Sequence, residues 1–311
     1  MPNRPRSRPA LPVAALALLT AALATRPAAA ADDFWAFWGD VRAELDGYAL
    51  VEPRYGAPRA GQAVLVFVTE DWSESLGVKA DPGKHPPADI FPVLKLNFVR
   101  QFQTGIYDYH VLASVFARVD GGFAPVKLSF SSQEWCGNVY QHWRVRGDRV
   151  AEVSHSYFDG EADRTRDEAL PPGALFEEAL PIALRGLRGD FLPPGGARTV
   201  PLFSSAIRAR FEHQEQAFRE ATIRRSPQST KVTTTLGTLP AFTYTVEEKG
   251  GPTTTYTLEA AYPHRILAWS TSTGESGRIL GSARLPYWKL NAPGGESYLK
   301  QLGLAPLPSR P

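Results

Sequence analysis

The chain has 311 residues, of which 34 are Lys or Arg and 32 are Asp or Glu. It contains no block of basic residues and so lacks the electrostatic footprint of a nucleic-acid-binding protein, which excludes that class. The single cysteine, Cys136, excludes an intramolecular disulfide. A chain of this length can bury one large or two modest apolar cores without such a crosslink.

Residues 1–31 have the composition of a secretory signal peptide. Three arginines stand within the first eight residues, an apolar run covers residues 11–24, and four alanines at 28–31 fit an A-x-A cleavage site. The run is shorter than the about 20 residues of a membrane-spanning helix, and no cysteine stands at the site to carry a lipid. We therefore expect cleavage between Ala28 and Asp32. The mature protein is expected to be periplasmic or secreted, soluble, not a lipoprotein and without a transmembrane segment.

Cleavage also changes the charge balance of the chain. The leader holds four of the 34 basic residues and no acidic residue, so 30 basic residues remain against 32 acidic ones. The formal charge of the mature chain is therefore −2. A chain with this net charge does not attract nucleic acid by its overall charge.

The first predicted element of the mature chain is a short helix. Asp32 and Asp33 stand where an N-cap is expected, and apolar residues from Phe34 to Leu45 follow at roughly helical spacing. A continuous apolar run at 63–69 then predicts a strand, and a proline-rich connection follows it.

From residue 93 onward the pattern is one strand after another, separated by turn residues. The predicted strands of the first half lie at 93–102, 106–118, 126–130, 135–145 and 149–158. A charged, proline-flanked stretch at 159–172 marks a boundary, and a helix interrupted by Pro181 is predicted at 175–187. The predicted strands of the second half lie at 200–203, 220–223, 232–236, 242–247, 253–259, 265–270 and 278–283.

These patterns predict a mainly β protein. We expect curved antiparallel sheets, arranged as a half-barrel or a sandwich with meander topology, and a few short helices. The N-terminal half, residues 32–165, carries the segment SSQEWCG. The C-terminal half, residues 166–311, either continues the same sheet or forms a second domain.

The segment around Cys136 is the candidate for chemistry, because a lone cysteine in an exported chain is either a small packed side chain or a reactive thiol. If residues 135–145 form one strand, alternation places Cys136 on the polar face, away from Trp135. A tight turn at Gly147 and Asp148 pairs Arg146 with Arg149. The residue numbers of any two cross-strand partners in this hairpin then add up to 295. The resulting polar and aromatic row either lines a ligand-binding cavity or faces water; it consists of Cys136, Asn138, Tyr140, His155, Tyr157 and Asp159.

This register also bears on a catalytic role for Cys136. Asp159 is predicted opposite the thiol, and a neighbouring carboxylate disfavours a thiolate. His155 is roughly 13 Å away, at about 3.3 Å per residue, so His110 from another strand is the remaining candidate base. No spacing typical of a zinc site, a P-loop, a nucleophile elbow or a dinucleotide fingerprint occurs. We therefore expect no metal site and no cofactor.

Several segments resemble known families. The segments QTGIYDYHVLASVF from Gln103, KLSFSSQEWCGNVY from Lys127 and RLPYWKLNAPGGESYL from Arg284 resemble uncharacterised exported bacterial proteins, some labelled septum formation inhibitor Maf. Maf enzymes are cytoplasmic nucleotide pyrophosphatases of α/β fold with an early S-x-S-P-R-R motif, which this chain lacks. TLGTLPAFTYTV from Thr235 and PHRILAWSTSTGE from Pro263 resemble the curved antiparallel β-domains of periplasmic lipoprotein carriers.

Two functions follow as expectations, ahead of a purely structural interaction module. The first is an envelope protein whose curved sheet binds an apolar or amphipathic ligand, such as a lipid-like molecule, or an envelope protein partner. The alternative is a hydrolase or transferase that uses Cys136 as its catalytic residue. A binding protein predicts a sizeable apolar cavity, whereas the enzyme predicts a histidine within hydrogen-bond reach of the sulfur.

Overall fold

A computed structural model describes residues 33–306 of the chain. The predicted signal peptide and its cleavage site lie outside the described residues. Within this range no helix has the length and apolar character needed to span a bilayer.

The described residues form one large, open, curved sheet that is almost entirely antiparallel. Strands make up 55% of residues 33–306 and helices 12%, which confirms the prediction of a mainly β fold. The strands are β1 Ala43–Arg54, β2 Ala57–Ser73, β3 Val78–Lys79, β4 Ile90–Thr104, β5 Tyr107–Arg118, β6 Ala124–Glu134, β7 Gly137–Arg146, β8 Arg149–Ser156, β9 Arg164–Ala169, β10 Leu175–Phe176, β11 Ala197–Phe203, β12 Phe218–Arg225, β13 Thr230–Thr234, β14 Gly237–Glu248, β15 Thr253–Glu259, β16 Ile266–Thr271 and β17 Ser276–Leu285.

The sheet consists of two series of antiparallel strands, and β1 lies between them and pairs with both. Antiparallel ladders run from β9 through β8, β7, β6, β5 and β4 to β2. β1 pairs with β2 on one edge and with β17 on the other. From β17 the ladder continues through β16, β15, β14 and β12 to β11, and β10 pairs with β11 in parallel. Strands from both halves of the sequence therefore lie in one sheet, and residues 33–306 belong to one compact unit.

Seven short helices accompany the strands among residues 33–306. They are the α-helices α1 Asp33–Trp38, α2 Leu180–Ala183 and α3 Ala206–Glu212 and the 3-10 helices Pro87–Asp89, Glu177–Ala179, Tyr287–Lys289 and Gly295–Leu302. Trp38 of α1, Leu180 of α2 and Ile207 of α3 join Phe67, Phe130 and many other strand residues in the main core. A smaller core covers the outer face of β1 and β2, where Leu302 and Leu304 pack.

Three predicted elements are wrong in extent. The first helix ends at Trp38 because Val41 adopts a left-handed conformation, with φ of 58°, and residues 43–54 form β1 instead. The helix predicted at 175–187 is reduced to a short strand, a 3-10 turn and α2, since Pro181 is accommodated only in the first turn of α2. The charged stretch 159–172 contains strand β9, which the sequence pattern did not indicate.

Two glycines allow the C-terminal 3-10 helix to pack on the outer face. Gly47 of β1 and Gly281 of β17 are direct cross-strand partners. A Cβ atom at Gly47 would overlap the carbonyl oxygen of Leu302, and one at Gly281 would overlap that of Gln301. The close approach of the backbones therefore requires glycine at both positions.

We expect Gly47→Ala to lower the free energy of unfolding by about 2 kcal/mol, because the backbone of Leu302 must move to admit the new methyl group. Urea denaturation measures the change. Ala49→Val is the matched control on the same strand, since Ala49 is exposed and a β-branched residue suits a strand. Equal stabilities for the two variants would contradict this packing.

Candidate functional site

The predicted polar row lies on the outer face of β7 and β8. The ladder has the predicted register, with Tyr140 opposite His155 and Arg146 opposite Arg149. All five predicted ligand-binding residues are exposed: Asn138, Tyr140, His155, Tyr157 and Asp159. A Cβ atom at Gly137 would overlap the ring of Tyr157, so this tyrosine lies flat against the start of β7. The row thus faces water, one of the two arrangements expected from the sequence.

Cys136 is exposed in a turn and does not belong to a strand. The prediction of one strand over 135–145 is wrong at its start, because Glu134 pairs with Gly137 and leaves Trp135 and Cys136 as a two-residue turn. Trp135 is therefore 70% exposed and does not join the apolar face. The β7–β8 ladder ends at Ser156, three residues before Asp159, so the predicted pairing of Asp159 with Cys136 does not form.

The histidines considered as bases for Cys136 are engaged elsewhere. The imidazole of His110 lies 2.7 Å from Asp108 and 3.3 Å from the amide of Gln101. That of His155 lies 3.2 Å from Asp163. Among residues 33–306 no histidine hydrogen-bonds to the sulfur of Cys136. The described residues therefore place no general base at the thiol.

We expect Cys136→Ser to change the free energy of unfolding by less than about 0.5 kcal/mol, because the side chain is exposed in a turn that serine also favours. Urea denaturation of the two proteins tests this. Val139→Ala is the contrasting variant with an expected loss, since Val139 is buried in the main core three residues away on β7. A large loss from Cys136→Ser would show that the thiol makes contacts that the structure does not contain.

At the opposite end of the same strands lies an open cleft of about 760 Å³. We call it the apolar cleft, and its apolar lining includes Phe123, Pro125, Val145, Leu170, Leu175 and Phe191. Its walls come from the turns before β6 and between β7 and β8, from residues 170–175 after β9, and from residues 183–191 after α2. Most of these side chains are only partly buried.

Local sequence explains how these walls are placed. Pro171 and Pro172 end β9, because proline lacks the amide hydrogen that a ladder needs. The amide of Leu170 donates to the carbonyl of Asp148 at 2.7 Å and ties this segment to the β7–β8 turn. The guanidinium of Arg198 lies 5.7 Å from the ring centroid of Phe191 and borders the cleft. The result is an apolar surface with a cationic edge.

The interior of the sheet holds a network of buried carboxylates and arginines. The guanidinium of Arg100 lies 2.8 Å from Glu52 and 2.9 Å from Glu275. That of Arg208 lies 2.6 Å from Glu248 and is shared with neighbouring carboxylates. A cavity of about 40 Å³, whose lining includes Arg100, Glu275 and Glu177, has room for a few water molecules.

Burial decides the protonation of this network. Burial raises the pKa of Glu52 to about 7. The charge of Arg100 opposes this shift, and the charge of Glu275 adds to it. Burial also raises the pKa of Glu177 to about 7, against the opposing charge of Arg208. Both carboxyl groups therefore hold their protons in the folded chain at pH values where they are ionised in the unfolded chain.

We expect the free energy of unfolding to decrease between about pH 5 and pH 7, by roughly 1 kcal/mol per pH unit for each such group. A carboxyl group whose pKa is raised by folding stabilises the folded state. This contribution is complete at pH values below the unfolded-state pKa of 4.5, and it is lost as the pH rises through the folded-state pKa of about 7. Glu177→Gln should flatten the dependence, measured by urea denaturation across this range. Glu212→Gln, at an exposed position on α3, should leave it unchanged.

Little in the sequence indicates the apolar cleft. The Pro171-Pro172-Gly173 cluster and the glycines at 186 and 189 indicated turns, but these turns are far apart in the chain. Their convergence depends on the order of strands in the sheet, which the pattern does not contain. Within residues 33–306 no group of three or more His, Cys, Asp or Glu side chains is arranged to hold a metal ion.

Comparisons with protein-family models, with curated proteins and with solved structures found no match to the chain. Function is therefore inferred from the geometry of this chain.

Proposed function

We propose that the chain is an exported cell-envelope protein that binds an apolar or amphipathic ligand in the apolar cleft. The observation that carries the proposal is the cleft itself. Its volume of about 760 Å³ lies within the range of roughly 300–1,000 Å³ that is common for ligand pockets. The apolar side chains of this concave surface are in contact with water, so a ligand that covers them with apolar groups binds through the hydrophobic effect.

The border of the cleft supports the amphipathic class of ligand. Arg198 is exposed, and its guanidinium makes no ion pair among residues 33–306. Asp190 also borders the cleft, but its carboxylate lies 3.0 Å from Arg225 and is neutralised there. An acyl chain in the cleft with an acidic group near Arg198 satisfies both features. Export is proposed from the composition of residues 1–31.

The proposal is tested with dodecanoate, a fatty acid with an apolar chain and one carboxylate. We expect saturable binding by isothermal titration calorimetry below its micelle concentration. Ala174→Trp should weaken binding about tenfold or more, because Ala174 lines the cleft and an indole ring there occupies the space of the ligand. NMR shifts of the methyl groups of Val145 and Leu170 report whether the ligand lies in the cleft.

Ala169→Trp is the matched control. Ala169 is exposed at the end of β9, close in sequence to Ala174, and it does not line the cleft. Unchanged binding in this variant, with loss in Ala174→Trp, is the expected pattern. The absence of dodecanoate binding, or methyl shifts confined to other residues, would refute the proposal for this ligand class.

A further inference from the structure

A second groove lies on the outer face of β6–β9 and has a volume of about 600 Å³. We call it the basic groove. Lys127, Arg144 and Arg146 line it next to His142, and a fourth lining cation, Arg166, is paired with Glu152. Lys127 and Arg144 are direct cross-strand partners, and Arg146 follows two positions along on the same face of β7. The fold therefore sets three positive charges side by side.

In the part of the chain that the structure describes, these three cations lack a carboxylate within ion-pair distance, although the charges of Asp89 and Glu74 act on Arg144 from farther away. The two carboxylates that line the groove are engaged by other arginines. Glu152 is held by Arg166 at 2.8 Å, and Asp167 is held by Arg149 at 2.9 Å. The groove consequently keeps an excess of positive charge.

Two of the cations also build one wall of the groove. Lys127 donates to the carbonyl oxygen of Gly77 at 3.2 Å. The guanidinium of Arg144 donates to the carbonyl oxygens of three consecutive residues: Glu74, Ser75 and Leu76. These neutral acceptors fix the positions of the two side chains and leave their charges unbalanced.

The imidazole of His142 lines the same groove. Its Nδ1 atom is shielded from solvent and has no hydrogen-bond partner. Burial lowers the pKa of His142, and the charges of Lys127, His155 and Arg144 lower it further. Burial lowers the pKa of Lys127 as well, with Arg144 adding to the shift. A bound anion would reverse the electrostatic part of each of these shifts.

We propose that the basic groove binds a phosphate group, either of a free phosphate or of a lipid headgroup. Phosphate carries up to two negative charges on a compact tetrahedron of acceptor oxygens, which suits a Lys point charge beside Arg donors. Its charge exceeds that of a single carboxylate and so matches a site with three cations. The site is separate from the apolar cleft and does not depend on the function proposed there.

The first experiment titrates the full-length protein with inorganic phosphate at constant ionic strength, with chloride as the balancing salt. The ring signals of His142 are followed by NMR as a function of pH. We expect saturable shifts and a higher His142 pKa in the presence of phosphate. Arg146→Glu should weaken phosphate binding about tenfold or more, because it replaces an attractive charge by a repulsive one.

Arg146 is a safe position for this substitution, since its side chain is exposed and makes no hydrogen bond among residues 33–306. Arg278→Glu is the matched control, at an exposed arginine on β17 that also lacks an ion pair there. Thermal unfolding confirms that both variants are folded. Equal loss of phosphate binding in the two variants, or no loss in Arg146→Glu, would overturn the proposal because binding would then follow net charge or another site.

A second arm separates the two sources of phosphate. Sedimentation measures binding to vesicles that contain phosphatidic acid and to vesicles of phosphatidylcholine alone. Binding to phosphatidic acid that Arg146→Glu abolishes assigns the groove to a lipid headgroup, and binding of inorganic phosphate alone assigns it to a free phosphate. If the wild-type protein binds neither inorganic phosphate nor phosphatidic acid, the basic groove is not a phosphate site.

Discussion

The fold depends on one strand, β1, which is hydrogen-bonded along both edges and is covered by the main core on its inner face. It pairs with β2 on one side and with β17 on the other, so it joins the beginning and the end of the described chain into one sheet. The inner face of β1 carries charged groups, because Glu44, Asp46 and Glu52 are all buried there. Such groups are costly to bury unless other elements supply partners.

The partners of β1 position the segments that form the apolar cleft. Glu44 lies 2.7 Å from Arg185, which is fully buried and also donates to the carbonyl oxygen of Pro263. Arg185 belongs to the segment at 183–191 that walls the cleft. Breaking a buried pair leaves an uncompensated charge, so the pair favours one position of this segment over others. Asp46 completes the group, and burial raises its pKa, with Glu44 adding to the shift.

This burial of charge explains what the sequence could and could not predict. Strands β4 to β8 alternate apolar and polar residues, so their existence was predictable, and the Gly147-Asp148 turn was sufficient to predict the register of β7 with β8. The hydrophobic pattern does not indicate β1 or β9, because both strands place charged side chains where a buried strand usually has apolar ones. On β1 these are Glu44, Asp46 and Glu52, and on β9 Arg164 and Arg166 pair with the buried Glu152. Glu52 has its partner Arg100 on β4, 48 residues away. A pattern of local hydrophobicity cannot show that such a charge is paired.

The apolar cleft and the basic groove share the β7–β8 hairpin but lie on its two faces. Val145 lines the cleft, whereas its neighbours Arg144 and Arg146 line the groove. Successive residues of a strand point to opposite faces, so one short stretch contributes an apolar wall on one side and a cationic one on the other. The backbone of this hairpin fixes the spacing of both surfaces. Because the two sets of side chains lie on opposite faces of the hairpin, either surface can change in sequence while the strand pairing is kept.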